Sequence, residues 1–206
     1  MTKIKICGLR REEDIAYVNE CRPDYIGFVF ANTRRRVTRE EAAHLKELLH
    51  PEIAAAGVFV NEDMDVIAGL LNDGIIDLAQ LHGEETEEQI RYLREHMKRG
   101  EIIKAIRVRS RADIVKDASL PVEYLLLDAF SERSYGGTGK TFDWSMIPAV
   151  EKPYFLAGGI RADNVEEAIY GLHPYGVDVS SALETDGFKD RDKILEFVAA
   201  VRCAKR

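Results

Sequence analysis

The sequence predicts an α/β protein, a single-domain (β/α)8 TIM barrel with short loops in which residues 1–206 form one catalytic domain. Three observations predict it. Short apolar or β-branched runs recur eight times along the chain, and segments with helical spacing lie between them. The runs are continuously apolar rather than alternating, as expected of parallel strands buried on both faces. Eight units in 206 residues leave roughly 26 residues each, which suits a closed barrel better than an open doubly wound sheet.

In chain order the runs are Lys3–Cys7, Tyr25–Phe30, Ala54–Val60, Leu78–Leu81, Ile102–Arg107, Tyr124–Asp128, Tyr154–Ala157 and Val177–Val179. Between them, Thr38–Glu41 and Thr86–Gln89 have the form of a capping box, in which a hydroxyl and a later Glu or Gln satisfy opposite backbone donors at a helix start. Amphipathic stripes follow at helical spacing: Leu45, Leu48 and Leu49; Ile90, Leu93 and Met97; Val165, Ala168, Ile169 and Leu172. The segment 110–119 carries the weakest helical pattern, and Pro148 interrupts the one after Phe142, so some outer helices are predicted to be short.

Composition narrows the function classes. Lys and Arg number 29 against 36 Asp and Glu, a formal net charge of −7, with a sequence pI near 5.4. Such a surface does not hold nucleic acid or an anionic membrane nonspecifically, because both bind by phosphate neutralisation. An anionic ligand must be captured locally. The start MTKIKICGLR has no long apolar signal region, and no uninterrupted apolar run approaches the ~18 residues of a membrane span, so a cytoplasmic protein is expected. Cys7, Cys21 and Cys203 are an odd, widely spaced set without CxxC, which suggests neither a disulfide framework nor a zinc site.

A parallel barrel places its chemistry at the C-terminal ends of its strands, and the unusual polar residues of this chain fall there. Gly158-Gly159 follows the seventh run, and a helix is expected to begin near Asp163. Asp178-Val179-Ser180-Ser181 does the same one unit later. Each pair alone is a tight turn; together they match the phosphate site that recurs after strands 7 and 8. Tyr135–Thr141 looks like a P-loop, but the required first glycine is Ser134 and no good helix follows. It reads instead as a glycine-rich lid or simply a flexible loop. Cys7 is either a small buried core residue or a thiolate base activated by nearby positive charge. Asp128 is either a structural cap or a general acid whose neutral form an apolar surrounding favours. In circular order strands 7 and 8 separate strand 6 from strand 1, so Asp128 and Cys7 would flank the anion site. Thr33-Arg34-Arg35-Arg36 is a solvated face or a carboxylate clamp beside Cys7. His82 is a rim hydrogen-bonder or a turn residue. His44, His50, His96 and His173 fall on outer helices or loops, and no trio has metal-ligand spacing, so no metal is expected.

Taken together, Lys5-Ile6-Cys7-Gly8-Leu9, Gly27-Phe28-Val29-Phe30, Gly57–Asn61, Gln80-Leu81-His82-Gly83, Gly136–Trp144 and Val177–Ser181 resemble the phosphoribosylanthranilate isomerase family of tryptophan biosynthesis, in order along essentially the whole chain. The resemblance implies an intramolecular oxidoreductase of the aldose–ketose type that needs no cofactor. It would convert N-(5′-phosphoribosyl)anthranilate to 1-(2-carboxyphenylamino)-1-deoxyribulose 5-phosphate, with that small molecule as its partner and a monomer or homodimer as its form. By position, Cys7 corresponds to the family's general base and Asp128 to its general acid. Arg35 corresponds to the contact for the anthranilate carboxylate, with Arg34 or Arg36 as substitutes because the loop is one residue short. His82 and Asp178 are further substrate contacts, and Gly158, Gly159, Ser180 and Ser181 the phosphate site. Ala182 stands where the family has glycine and would crowd the phosphate if that backbone needed positive φ; Leu9-Arg10 replaces an aliphatic-Thr pair without evident consequence. The alternatives are an isomerase of a related aminoribosyl phosphate, which usually has an aspartate where this chain has Cys7, and a non-catalytic phosphate-binding barrel. A thiol redox protein would lack a resolving cysteine.

Overall fold

The eight apolar runs form the eight strands of one closed parallel sheet in a computed structural model that describes residues 1–128, 144, 147, 148 and 150–204. The strands are β1 (Lys3–Cys7), β2 (Tyr25–Val29), β3 (Ala54–Phe59), β4 (Leu78–Leu81), β5 (Glu101–Arg107), β6 (Tyr124–Asp128), β7 (Tyr154–Ala157) and β8 (Gly176–Val179). Each pairs with its sequence neighbours, and β8 closes on β1 with Lys5 opposite Asp178. Seven α-helices are present among the described residues: α1 (Glu12–Cys21), α2 (Arg39–Leu48), α3 (Met64–Asn72), α4 (Glu87–His96), α5 (Arg111–Asp117), α6 (Val165–Leu172) and α7 (Arg191–Cys203). The glycine-rich lid expected over Tyr135–Thr141 lies outside the described residues.

Local chemistry sets the helix starts. Thr38 and Thr86 each accept from the backbone N–H three residues on, and Glu41 and Gln89 accept in return from the Thr38 and Thr86 N–H groups. Losing such a cap typically costs about 1 kcal/mol. In the stripes, Leu45 and Leu49 are buried as expected, whereas Leu48, the last residue of α2, is exposed. The weak pattern at 110–119 is the seven-residue α5.

The period-two alternation of each strand sorts side chains into two sets. Outward residues such as Ile4, Ile6, Ile26, Phe28, Phe59, Leu125, Leu127 and Val177 form the main core under the helices. Inward residues fill the barrel in levels. At the N-terminal mouth, Tyr25, Tyr124 and Tyr175 pack around Phe155, and the Tyr25 and Tyr175 hydroxyls are 2.8 Å apart. Ala56, Leu126 and Ala157 belong to the same interior cluster. The top level brings Cys7, Val29 and Val58 together.

One expectation is corrected. No α-helix starts directly after β8: Ser181–Leu183 forms a short 3-10 turn, and a two-stranded hairpin, β9 (Glu184–Thr185) with β10 (Phe188–Lys189), intervenes before α7. The turn brings Glu184 and Lys189 back over the rim, and that placement gives the insertion its role in the site.

Candidate active site

At the C-terminal mouth a cavity of about 540 Å³ is lined by Cys7, Arg35, His82, Asp128, Gly158, Gly159, Asp178, Ser180 and Ser181, so the structure brings every sequence-predicted site residue to one place. They arrive there because all but Arg35 lie in the last two positions of a strand or the first two of the loop after it, and Arg35 is carried in by the longer loop after β2. Circular order puts β7 and β8 between β6 and β1, and Cys7 and Asp128 therefore flank the two loops that carry the glycines and serines.

Cys7 is the last residue of β1 and is buried. Its register partner on β2 is Gly27, and a Cβ there would lie 2.6 Å from the Cys7 sulfur, so glycine is what makes room for the thiol. Two residues earlier on the same inward face lies Lys5, fully buried, whose Nζ donates to Asp178 Oδ1 at 2.9 Å. Burial pushes the Cys7 thiol up from its ordinary value and the Asp178 carboxylate adds to that, while the positive charges of Lys5 and Lys189 pull it back. Burial disfavours the charge on Lys5, yet Asp178 and Cys7 together hold its pKa above the ordinary value. The positive charge beside the thiol thus comes foremost from Lys5, and not from the arginine triplet alone.

Asp128 does not sit in the apolar surrounding expected of it. His82, two residues beyond the inward Gln80, presents its Nε2 3.6 Å from Asp128 Oδ2. Gln80 Nε2 lies 3.0 Å from His82 Nδ1, so the inward glutamine anchors the edge of the ring that faces away from the carboxylate. Gln80 Oε1 is buried without a hydrogen-bond partner among the described residues, and Gln80 lines the cavity. A buried orphan acceptor costs about 1–3 kcal/mol.

The anion loops are shaped by backbone. Gly158 and Gly159 have φ of +83° and +72°, and nothing lies within 4 Å of where a Gly159 side chain would begin. The glycine there satisfies the conformation and keeps the space open. Asn164, the N-cap of α6, ties the loop down: its Nδ2 donates to the Gly159 carbonyl and its Oδ1 accepts from the Arg161 N–H. Ser180 Oγ donates to the Cys7 carbonyl at 2.9 Å, joining the second loop to the end of β1. Ala182 lies inside the right-handed 3-10 turn, so the crowding anticipated for a positive φ does not arise.

The arginine triplet divides three ways. Arg36 lines a separate hollow of about 190 Å³ beside Phe30 and Phe59. Arg34 is exposed and donates to Glu184 Oε2. Arg35 is the one that lines the cavity, with Nε and Nη2 donating to the two Glu184 oxygens at 2.7 and 2.9 Å. Lys189 donates to Glu184 Oε1 and to the Ser180 carbonyl. Although burial alone would raise Glu184, hydrogen bonds from Arg35 and Lys189 bring it down to about 2.

Lys5, Glu184, Lys189 and Arg161, which also lines the cavity, were not found from sequence. A signal for Lys5 existed: Lys3-Ile4-Lys5-Ile6 alternates within a strand predicted to be buried on both faces. Glu184 and Lys189 carried none, since Glu184 meets its arginine partners 149 and 150 residues away and Lys189 meets Glu184 only through the hairpin. Among the described residues, no group of three or more His, Cys, Asp or Glu is placed to hold a metal, and no helix is long and apolar enough to cross a membrane.

The likeness to known proteins extends over nearly the whole chain. The family model of N-(5′-phosphoribosyl)anthranilate (PRA) isomerase matches residues 4–200. The N-(5′-phosphoribosyl)anthranilate isomerase of Endomicrobium trichonymphae is 46% identical over 202 residues, covering 98% of this chain and 99% of that protein. The crystal structure of the phosphoribosyl anthranilate isomerase from Thermotoga maritima has a TM-score of 0.85 at 34% identity, over 98% of this chain and 99% of that one. A further solved phosphoribosyl anthranilate isomerase, in complex with reduced 1-(o-carboxyphenylamino)-1-deoxyribulose 5-phosphate, has a TM-score of 0.81 at 31% identity, with 98% and 99% covered.

Proposed function

This chain belongs to the N-(5′-phosphoribosyl)anthranilate isomerase family, and from that premise we propose that it converts N-(5′-phosphoribosyl)anthranilate to 1-(2-carboxyphenylamino)-1-deoxyribulose 5-phosphate in tryptophan biosynthesis, with Cys7 as base and Asp128 as acid. The observation that carries the assignment of roles is the placement of Cys7 and Asp128 on either side of the β7 and β8 loops in one cavity.

A phosphate seated on Gly158, Gly159, Ser180 and Ser181 meets backbone N–H groups in the turn that precedes α6. The sugar then spans from Asp128 to Cys7. Asp128 protonates the ribose ring oxygen; the C1–O bond breaks, and the nitrogen lone pair forms the iminium. Cys7 as thiolate removes the C2 proton, the C–H electron pair forms the C1–C2 double bond, and the nitrogen is neutralised. Tautomerisation of the enol-amine gives the ketone. Arg35 keeps Nη1 for the anthranilate carboxylate while Glu184 holds its other edge. His82 keeps the Asp128 carboxylate company, and Asp178 lies at the level of the amino nitrogen.

No cofactor enters these steps. The enzyme acts as one catalytic domain over residues 1–206, in the cytoplasm, as a monomer or homodimer; the Thermotoga maritima relative is described as dimeric. The test is the fluorescence assay for loss of phosphoribosylanthranilate on the purified chain. Cys7→Ala and Asp128→Asn should each lose at least ~100-fold in kcat, the usual general acid–base contribution, with the fold retained. Near-normal turnover in either variant removes its residue from the mechanism. Turnover of a related aminoribosyl phosphate instead would favour the other isomerase, and binding of the product without turnover a non-catalytic barrel.

A further inference from the structure

The interior of a parallel barrel is normally filled by branched apolar side chains, yet β1 turns a lysine into it. Lys5 is fully buried and packs in register against Asp178 on β8. Burying an ammonium carries a desolvation penalty that pairing offsets only in part, and an apolar residue would fill the same volume without it. Lys5 stands two residues below Cys7 on the same face, about 6–7 Å along the strand, and its stem can span that rise; the ammonium bonds the Asp178 carboxylate, and its charge acts on the Cys7 thiol.

We propose that Lys5 is a positioning residue for the base: its buried ammonium, kept charged by Asp178, stabilises the Cys7 thiolate that takes the proton from the substrate carbon. The inference rests on the reading of Cys7 as the base. In forming the thiolate, the Cys7 S–H bond breaks with its electron pair left on sulfur, and the proton leaves through the cavity to solvent. Lys5 keeps all three of its own protons throughout. Asp178 has two effects, holding Lys5 protonated and repelling the thiolate, and the first matters because a neutral Lys5 amine would offer the sulfur no countercharge.

Among the described residues, the charged groups that face the cavity from other elements include Arg161, which is exposed and paired with Asp163. From β10 comes Lys189, and from the loop after β2 comes Arg35, both engaged by Glu184. From β2 comes Gly27, which carries no charge. Across the cavity stand Asp128 and His82. Lys5 is the cation that shares a strand with the sulfur, and its partner is Asp178, not Glu184.

The experiment compares wild type, Lys5→Met and Lys5→Arg in the full chain. It follows the rate of Cys7 alkylation by iodoacetamide against pH, read by mass spectrometry of the Cys7 peptide, and the pH profile of kcat/KM. An opposite charge within ~4–6 Å moves a pKa by about 1–3 units. Both profiles of Lys5→Met should therefore shift toward higher pH by about one unit or more, and Lys5→Arg should recover part of the shift. Activity that falls in Lys5→Met with both profiles unmoved overturns the proposal, because loss of packing alone does not change the ionisation of a thiol. Should Lys5→Met fail to fold, the lysine Cε resonance of wild type decides: it should step at the pH where Cys7 alkylation turns on and lose that step in Cys7→Ser, and a flat resonance in wild type overturns the inference. Full turnover in Cys7→Ala would instead break the underlying reading of the base, a result separable from all of these.

Discussion

Glu184 is the most informative single position for testing the rim network. It accepts from Arg34, Arg35 and Lys189, and its side chain is 5% exposed. In Glu184→Gln the amide keeps one acceptor oxygen and gains two donors that face cations, so either Lys189, itself 1% exposed, and Arg35 Nε, or Arg34 and Arg35 Nη2, lose their acceptor. Removing one partner of a buried ion pair costs about 3–5 kcal/mol. Arg34 is 60% exposed, so solvent reaches one edge of the network, and the one acceptor that remains offsets part of the loss, which gives roughly 2–3 kcal/mol here.

The pH dependence gives a second reading of the same number. Glu184 falls from an ordinary value of 4.5 to about 2 on folding. A carboxylate depressed in the folded state adds stability that is complete above its unfolded pKa and disappears as pH falls through the folded one. The window is therefore pH 4.5 down to about 2. The full shift would be worth about 3 kcal/mol, and screening at the exposed edge leaves on the order of 1–2 kcal/mol. Urea denaturation at pH 7, 4.5, 3 and 2 should show wild type losing this increment between pH 4.5 and 2, while Glu184→Gln starts lower and has a correspondingly flatter acid limb. The variant should also show a raised KM, since Arg35 loses its anchor. A variant within 0.5 kcal/mol of wild type at pH 7, or one with an unchanged acid limb, would refute the reasoning.

Other positions give narrower tests. Gly27→Ala places a methyl 2.6 Å from the Cys7 sulfur, so kcat should fall by about tenfold or more from displacement of the base, at a stability cost of about 1–3 kcal/mol; steady-state kinetics with wild-type values would show that the sulfur is free to move. At Gly159 there is open space but φ is +72°, so Gly159→Ala should lose about 1–2 kcal/mol from backbone strain and raise KM through crowding of the phosphate. A thermal melt and a titration with inorganic phosphate separate the two effects, and unchanged phosphate affinity would remove this loop from the anion site.

The barrel was legible in the sequence because parallel strands buried on both faces leave uninterrupted apolar runs, and Thr38 and Thr86 announce their helices through local hydrogen bonds. The rim was legible because Cys7 and Asp128 end strands and Gly158-Gly159 and Ser180-Ser181 directly follow them, where chain order alone fixes their circular neighbours. What surrounds them was not. Whether Asp128 faces apolar surface or His82 depends on side chains from β4 meeting β6 across the mouth, and the Arg35–Glu184 pair joins residues 149 apart. The hairpin after β8 escaped notice because its strands are two residues each, too short for any periodicity to register.

The pairing of β1 with β8 also bears on how the molecule comes to life. The base and its lysine belong to the first strand, while Asp178 and the serines belong to the last, 173 residues away from Lys5. No partial barrel can present both halves of that constellation. During refolding, helices and neighbouring strands form through short-range contacts, whereas this seam needs the longest loop closure in the chain. The first turnover of substrate therefore times the closing of the ring itself, a step that circular dichroism, which follows helix content, would record as already past.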